Sequence, residues 1–112
     1  MGSSSSSLTP QTKAKIDESI KNSHVFVASK TYCPYCTRAK QALKDAGVTD
    51  ATIIELDRED EGDAIQNYLR EITGQRTVPN IFINGKHIGG CDDLLALSSS
   101  GKLKAILWAI NK

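Results

Sequence analysis

The apolar run Val25-Phe26-Val27-Ala28 leads within a few residues into Cys33-Pro34-Tyr35-Cys36, and a helical pattern follows at once. No other stretch constrains the fold as much. A short apolar run bounded by turn signals reads as a buried strand, and proline is tolerated in the first turn of a helix, where its missing N–H has no partner to lose. Two thiols three positions apart at a helix start lie on one side of the helix and can close a small disulfide ring. The first thiol also faces the positive end of the helix dipole and the first-turn amides, which favour its anion. Lys30, three residues earlier, adds a positive charge. The segment therefore reads as a redox site on a strand-to-helix turn. Cys33 is the candidate nucleophile, and Cys36, one turn into the helix, the more buried resolving thiol.

Composition supports this reading by excluding rivals. The chain has 112 residues, room for one domain, and its 39% hydrophobic and 24% charged residues are ordinary for a globular protein. A net charge of +1 gives no bulk attraction for nucleic acid or a membrane surface. No apolar run approaches a membrane span and no signal peptide is evident, so a cytoplasmic protein is expected. Three cysteines is an odd number for a disulfide-stapled secreted domain. His24 and His87 lie far apart and near no cysteine cluster, so no metal is expected.

Residues 1–7, Met-Gly followed by five serines, read as a disordered low-complexity leader or a cloning scar; if they are a trimmed leader, a mitochondrial location follows. Met1 to Ser6 formally matches the myristoylation pattern, but no basic patch follows it. The domain is taken as 8–112. Thr9-Pro10 caps a helix reaching about Asn22, with Ile16 and Ile20 on one face. His24 to Ser29 is a strand, Pro34 to Ala46 a helix ended by Gly47, and Ala51 to Leu56 a second strand. A helix from Asp60 or Glu61 to Gly74 carries Ile65, Tyr68, Leu69 and Ile72 inward. Asn80 to Ile83 and Lys86 to Ile88 form a hairpin around Asn84-Gly85. Helices follow at Cys91 to about Leu97 and at Lys102 to Ile110, the latter with Leu103, Ile106, Leu107 and Ile110 inward. The order α-β-α-β-α-β-β-α-α implies a parallel first pair with a right-handed crossover and an antiparallel hairpin. With Cys-x-x-Cys at the first strand-to-helix turn, this is a thioredoxin-like α/β fold: a central four-stranded mixed sheet flanked by about five helices.

Three blocks carry a resemblance: Lys30-Thr31-Tyr32-Cys33-Pro34-Tyr35-Cys36, Gln75-Arg76-Thr77-Val78-Pro79-Asn80, and Asn84-Gly85-Lys86-His87-Ile88-Gly89-Gly90-Cys91-Asp92-Asp93. In order and separation they resemble the motif blocks of dithiol glutaredoxins, most closely the small fungal-type ones, over about residues 13–110. The resemblance implies a glutathione-dependent thiol–disulfide oxidoreductase acting on glutathionylated or disulfide-containing proteins. Glutathione is reductant and co-substrate, glutathione reductase and NADPH are the indirect electron source, and the protein is a monomer. It implies a cis-proline at Pro79, which would leave the Val78 N–H and C=O free to pair with glutathione's backbone. The amides of Cys91 and Asp92 and the Asp92 carboxylate would meet the γ-glutamyl end, although Asp92 is equally a first-turn helix acid. Lys30 and Gln75 would face the glycyl carboxylate, with Arg76 either helping or solvated. Thr77 and Tyr35 complete the implied groove, Tyr35 also reading as a plain spacer.

Three alternatives compete. An iron–sulfur carrier would hold a cluster between two subunits with Cys33 and glutathione; Pro34 disfavours it, since cluster-binding relatives tend to have a smaller residue there. A copper chaperone would leave the second and third blocks without a role. Thioredoxin proper lacks its Trp-Cys-Gly-Pro-Cys pattern here.

Overall fold

The structure is a computed structural model and describes residues 8–109. The leader, with its myristoylation pattern, and Ile110 lie outside them. Helix α1 (Pro10–Asn22) begins where Thr9 Oγ1 accepts the Thr12 N–H, with proline at the first helical position as the sequence suggests. Strand β1 (Val25–Ser29) leads into α2 (Pro34–Asp45), and β2 (Ala51–Glu55) runs into a 3-10 turn (Leu56–Arg58). Then come α3 (Gly62–Thr73), β3 (Asn80–Ile83), β4 (Lys86–Gly89), α4 (Cys91–Ser99) and α5 (Lys102–Leu107). The sheet order is β2-β1-β3-β4. β1 pairs parallel with β2 and antiparallel with β3, and the β3–β4 hairpin is antiparallel. Asn84 and Gly85 take φ of 52° and 81°, the positive pair that a two-residue hairpin turn demands.

Alternation along the central strands sorts the core into two layers. Val25, Val27, Ile81 and Ile83 face α2, α4 and α5, meeting Ala39, Leu43, Leu94, Leu103 and Leu107. Phe26, Ala28 and Phe82 face the other way, meeting Ile16, Ile20, Ile65 and Leu69 of α1 and α3. Phe26 and Phe82 pack edge to face at 5.8 Å. The sheet is thus buried on both faces, which is why β1 reads as a continuous apolar run.

The expected elements are present, and the differences are local. β1 starts at Val25, because the His24 ring turns out to bond Asp50 and the Leu107 carbonyl. β2 ends at Glu55, because Leu56 opens the 3-10 turn. α3 starts at Gly62, where a Cβ would come within 1.9 Å of the Leu56 carbonyl oxygen. Ile72, expected to face inward, is 49% exposed. Ile65 and Leu69 supply the core contacts of α3, and no residue of its last turn joins that cluster. α4 continues to Ser99, and Ile106 is only partly buried. No helix among the described residues is long and apolar enough to cross a membrane.

Candidate active site

Cys33 occupies the N-cap of α2, with extended backbone, and its sulfur accepts the Cys36 N–H at 3.2 Å. Its own N–H donates to the Lys30 carbonyl, and its carbonyl accepts the Thr37 N–H, so both of its backbone groups are tied. The sulfur is part-exposed, whereas Cys36 is 0% exposed. Burial pushes the Cys36 thiol well above its ordinary range, and the Cys33 side chain adds to the rise. The two thiols are therefore unlike: one part-exposed, the other closed off.

Across from Cys33 lies the Thr77-Val78-Pro79 segment. The Val78–Pro79 peptide is cis, and the Val78 carbonyl oxygen is 4.0 Å from the Cys33 sulfur. From here an open groove of about 390 Å³ runs to the start of α4. Among the residues anticipated from sequence, Tyr35, Gln75, Thr77, Val78, Pro79, Cys91 and Asp92 line it, together with Gly90 and Asp93. Lys30 does not line the groove; it follows the last residue of β1, is half-buried, and its carbonyl accepts the Cys33 N–H.

At the far end, the Gly90 N–H is taken by the Asp93 carboxylate at 3.1 Å. Gly89 permits this approach: its φ is 125°, and a Cβ there would lie 2.2 Å from Asp93 Oδ2. The next amides, of Cys91 and Asp92, open helix α4 and have no intrahelical acceptor, so they suit a carboxylate. The Cys91 side chain is buried. Burial raises its thiol pKa, Arg38 opposes the rise and Asp92 adds to it. Burial is the largest of these causes.

Gln75 is more committed than sequence suggested. Its amide nitrogen donates to the carbonyls of Thr77 at 3.0 Å and Pro79 at 2.8 Å, so it braces the Val78 segment. That orientation turns its oxygen toward His87 Nε2 at 3.1 Å, with Asn80 Oδ1 at 2.9 Å from the same nitrogen. Two carbonyl-type oxygens need a donor, so Nε2 carries the proton. Burial lowers the His87 pKa, and Asp93 partly opposes this.

Sequence reasoning missed this buttress and one other. Asp57, in the 3-10 turn, accepts the Thr31 N–H at 3.0 Å and the Thr31 hydroxyl on its other oxygen. These bonds hold its carboxyl below the usual range and fix the loop two residues before Cys33. Nothing local in Asp57-Arg58-Glu59-Asp60 announces that contact. Asp93 could have been found, since it stands at the third helical position after Gly90, the capping-box spacing. Among the described residues no group of three His, Cys, Asp or Glu side chains could hold a metal ion.

Comparison with known proteins gives the family. The family model "Glutaredoxin" matches residues 25–88. Glutaredoxin-C6 of Oryza sativa subsp. japonica is 54% identical over 94 residues, covering 84% of this chain and 83% of that one. Glutaredoxin-1 of Rhizophagus irregularis is 49% identical over 100 residues, covering 89% and 98%. A crystal structure of buckwheat glutaredoxin in complex with glutathione superposes with a TM-score of 0.80 at 48% identity, covering 84% of each chain. The chain belongs to the glutaredoxin family of thioredoxin-like, glutathione-dependent oxidoreductases. Plant and fungal members both stand among its relatives.

Proposed function

We propose that this protein reduces glutathionyl mixed disulfides and protein disulfides at the expense of glutathione, with Cys33 as nucleophile and Cys36 as resolving thiol. The observation that carries the reading is the asymmetry of the pair: Cys33 part-exposed at the N-cap and accepting an amide N–H, Cys36 wholly buried below it. The Cys33 thiolate attacks the glutathione sulfur of a mixed disulfide. A Cys33–glutathione disulfide forms, and the substrate thiolate leaves and takes a proton from water. A second glutathione thiolate attacks the glutathione sulfur bound to Cys33, releasing oxidised glutathione and restoring the Cys33 thiolate. In the dithiol route Cys36 displaces glutathione from Cys33 instead, and two glutathiones reopen the ring.

The groove suits glutathione along its length. The Cys91 and Asp92 amides would receive the γ-glutamyl carboxylate and the Asp92 side chain its ammonium. Val78 would pair with the central backbone as an added strand. Lys30 would attract the glycyl carboxylate. Gln75, its amide engaged with the Thr77 and Pro79 carbonyls, would serve mainly by holding that strand edge in place. Tyr35, 56% exposed and beside Arg38, would border the bound peptide.

The test is glutathione-coupled reduction of a small glutathionyl mixed disulfide. Cys33→Ser should abolish turnover, and Cys36→Ser should keep it, since attack and release need only Cys33. Equal loss in both would refute the monothiol route.

A further inference from the structure

Pairing between β3 and β4 stops short of the groove. Ile83 stands opposite Lys86 and Phe82 opposite His87, but the next pair is Ile81 with Gly89, so the register shifts there. That pair is the last, and Pro79 has no N–H with which to extend the ladder. The Val78 edge that borders the groove therefore has no backbone tie to β4 among the described residues. Side chains supply the tie.

His87 is at its centre. It faces Phe82, with the two rings 5.2 Å apart, and Asn80, two residues along β3, shares that face. Its Nε2 lies 2.9 Å from Asn80 Oδ1 and 3.1 Å from Gln75 Oε1. The nitrogens of both amides are committed elsewhere: that of Gln75 to the Thr77 and Pro79 carbonyls, that of Asn80 to the Thr73 hydroxyl at 3.4 Å. One imidazole N–H is thus the donor that both amide oxygens share. It grips Asn80 directly and, through Gln75, the residues on either side of Val78. The Gln75 amide also lies against the residue before α4: a Cβ on Gly90 would be 3.7 Å from its nitrogen and 3.5 Å from the Pro79 carbonyl oxygen. The network therefore spans from the Val78 edge to the start of α4. His87 itself does not line the groove.

We propose that His87 is a positioning residue for glutathione: its Nε2–H, through Gln75 and Asn80, fixes the Val78 edge relative to the Cys91 and Asp92 amides. The inference rests on the reading above, in which those two elements hold the glutathione moiety. A ligand held at two places reacts at the rate its geometry allows, so loosening one of them slows only disulfides that carry glutathione. Cys33 takes its own setting from α2 and the Lys30 carbonyl, with no bond to His87. Without His87, neither amide oxygen has another donor among the described residues, and both amides are free to turn.

The experiment compares two disulfides, oxidised glutathione and bis(2-hydroxyethyl) disulfide, each reacting in excess with the reduced full chain. In both cases the Cys33 thiolate bonds to one sulfur and the other sulfur leaves as the thiolate. The reacted fraction, mixed disulfide or closed ring, is read by mass after acid quench. Each rate is divided by that of a small free thiol with the same disulfide. His87→Phe keeps a ring against Phe82 and removes the donor. Its rate with oxidised glutathione should fall about tenfold, while its rate with bis(2-hydroxyethyl) disulfide stays within about twofold. His87→Gln, whose side-chain nitrogen reaches about as far as Nε2, should return the glutathione rate to within about twofold of the parent. Equal falls with both disulfides would show a structural role only and overturn the inference. So would a glutathione rate unchanged in His87→Phe, or one that His87→Gln leaves low. A parent protein that, so corrected, shows no preference for oxidised glutathione would remove the glutathione groove itself, and this inference with it.

Discussion

At the scale of single residues, the site separates thiols by environment. Cys33 and Cys91 both stand at helix starts, yet Cys33 is part-exposed and Cys91 only 5% exposed. Cys91 is therefore proposed to serve through its backbone amide, and Cys91→Ser should leave turnover within about threefold, roughly 0.65 kcal/mol in the barrier. A tenfold loss with folding intact would show that the thiol takes part. Lys30→Ala and Asp92→Ala should each raise the glutathione concentration needed for half-maximal rate, while their denaturation midpoints move little. Unchanged glutathione dependence in both, at low salt, would remove the proposed polarity of the groove. Asp57 acts at one remove: it touches no reacting atom but ties the Thr31 N–H and hydroxyl. Asp57→Ala should lower turnover with glutathione more than it lowers stability, because the freed loop carries Lys30 and Cys33.

At the scale of elements, the start of α4 depends on a fit between neighbours. Asp93 reaches back to the Gly90 N–H only because Gly89 has no side chain in its way. Gly89→Ala combines a φ of 125° with a Cβ 2.2 Å from that carboxylate. It should destabilise the protein by more than about 1 kcal/mol in urea titration and displace the amides proposed to hold glutathione. Glu61, just before α3, ties a second pair of elements by accepting the Thr9 N–H at 2.8 Å and the Thr12 hydroxyl. Those bonds hold its carboxyl below the ordinary range. Their contribution is present above the unfolded carboxyl's range and fades as pH falls through the lower folded value.

At the scale of the whole molecule, two histidines set opposite pH dependences. The Asp50 carboxylate and then the Leu107 carbonyl raise the His24 pKa above 6.5. Its contribution to stability is complete below 6.5 and is lost as pH rises through the folded value. Burial lowers the His87 pKa below 6.5. Holding it neutral grows costly as pH falls from 6.5 toward the folded value. Urea denaturation from pH 5 to 8.5 should therefore show His24→Gln losing part of the decline on the alkaline side and His87→Gln part of the decline on the acid side. If neither variant changed the slope, the bonding described for both rings would be wrong.

Sequence alone determined what depends on neighbours along the chain. Strand and helix periods, Thr9-Pro10 as a helix start, the Asn84-Gly85 turn and the strand-to-helix placement of Cys33 and Cys36 are set by interactions a few residues long. Those local signals were sufficient for the element order, and three motif blocks in register made the family legible. The tertiary structure decided what depends on residues distant in sequence. It set β3 antiparallel to β1 and brought the Val78 carbonyl to 4.0 Å from Cys33. Ile72 was left exposed at a helix end where the core had run out. Gln75 was joined to His87 and Thr31 to Asp57 across long stretches of chain. Ser29 reads in the sequence as one more residue closing a strand. Only the packing of helices over the sheet buries its hydroxyl, because burial and desolvation are properties of what lies overhead, not of the letters on either side.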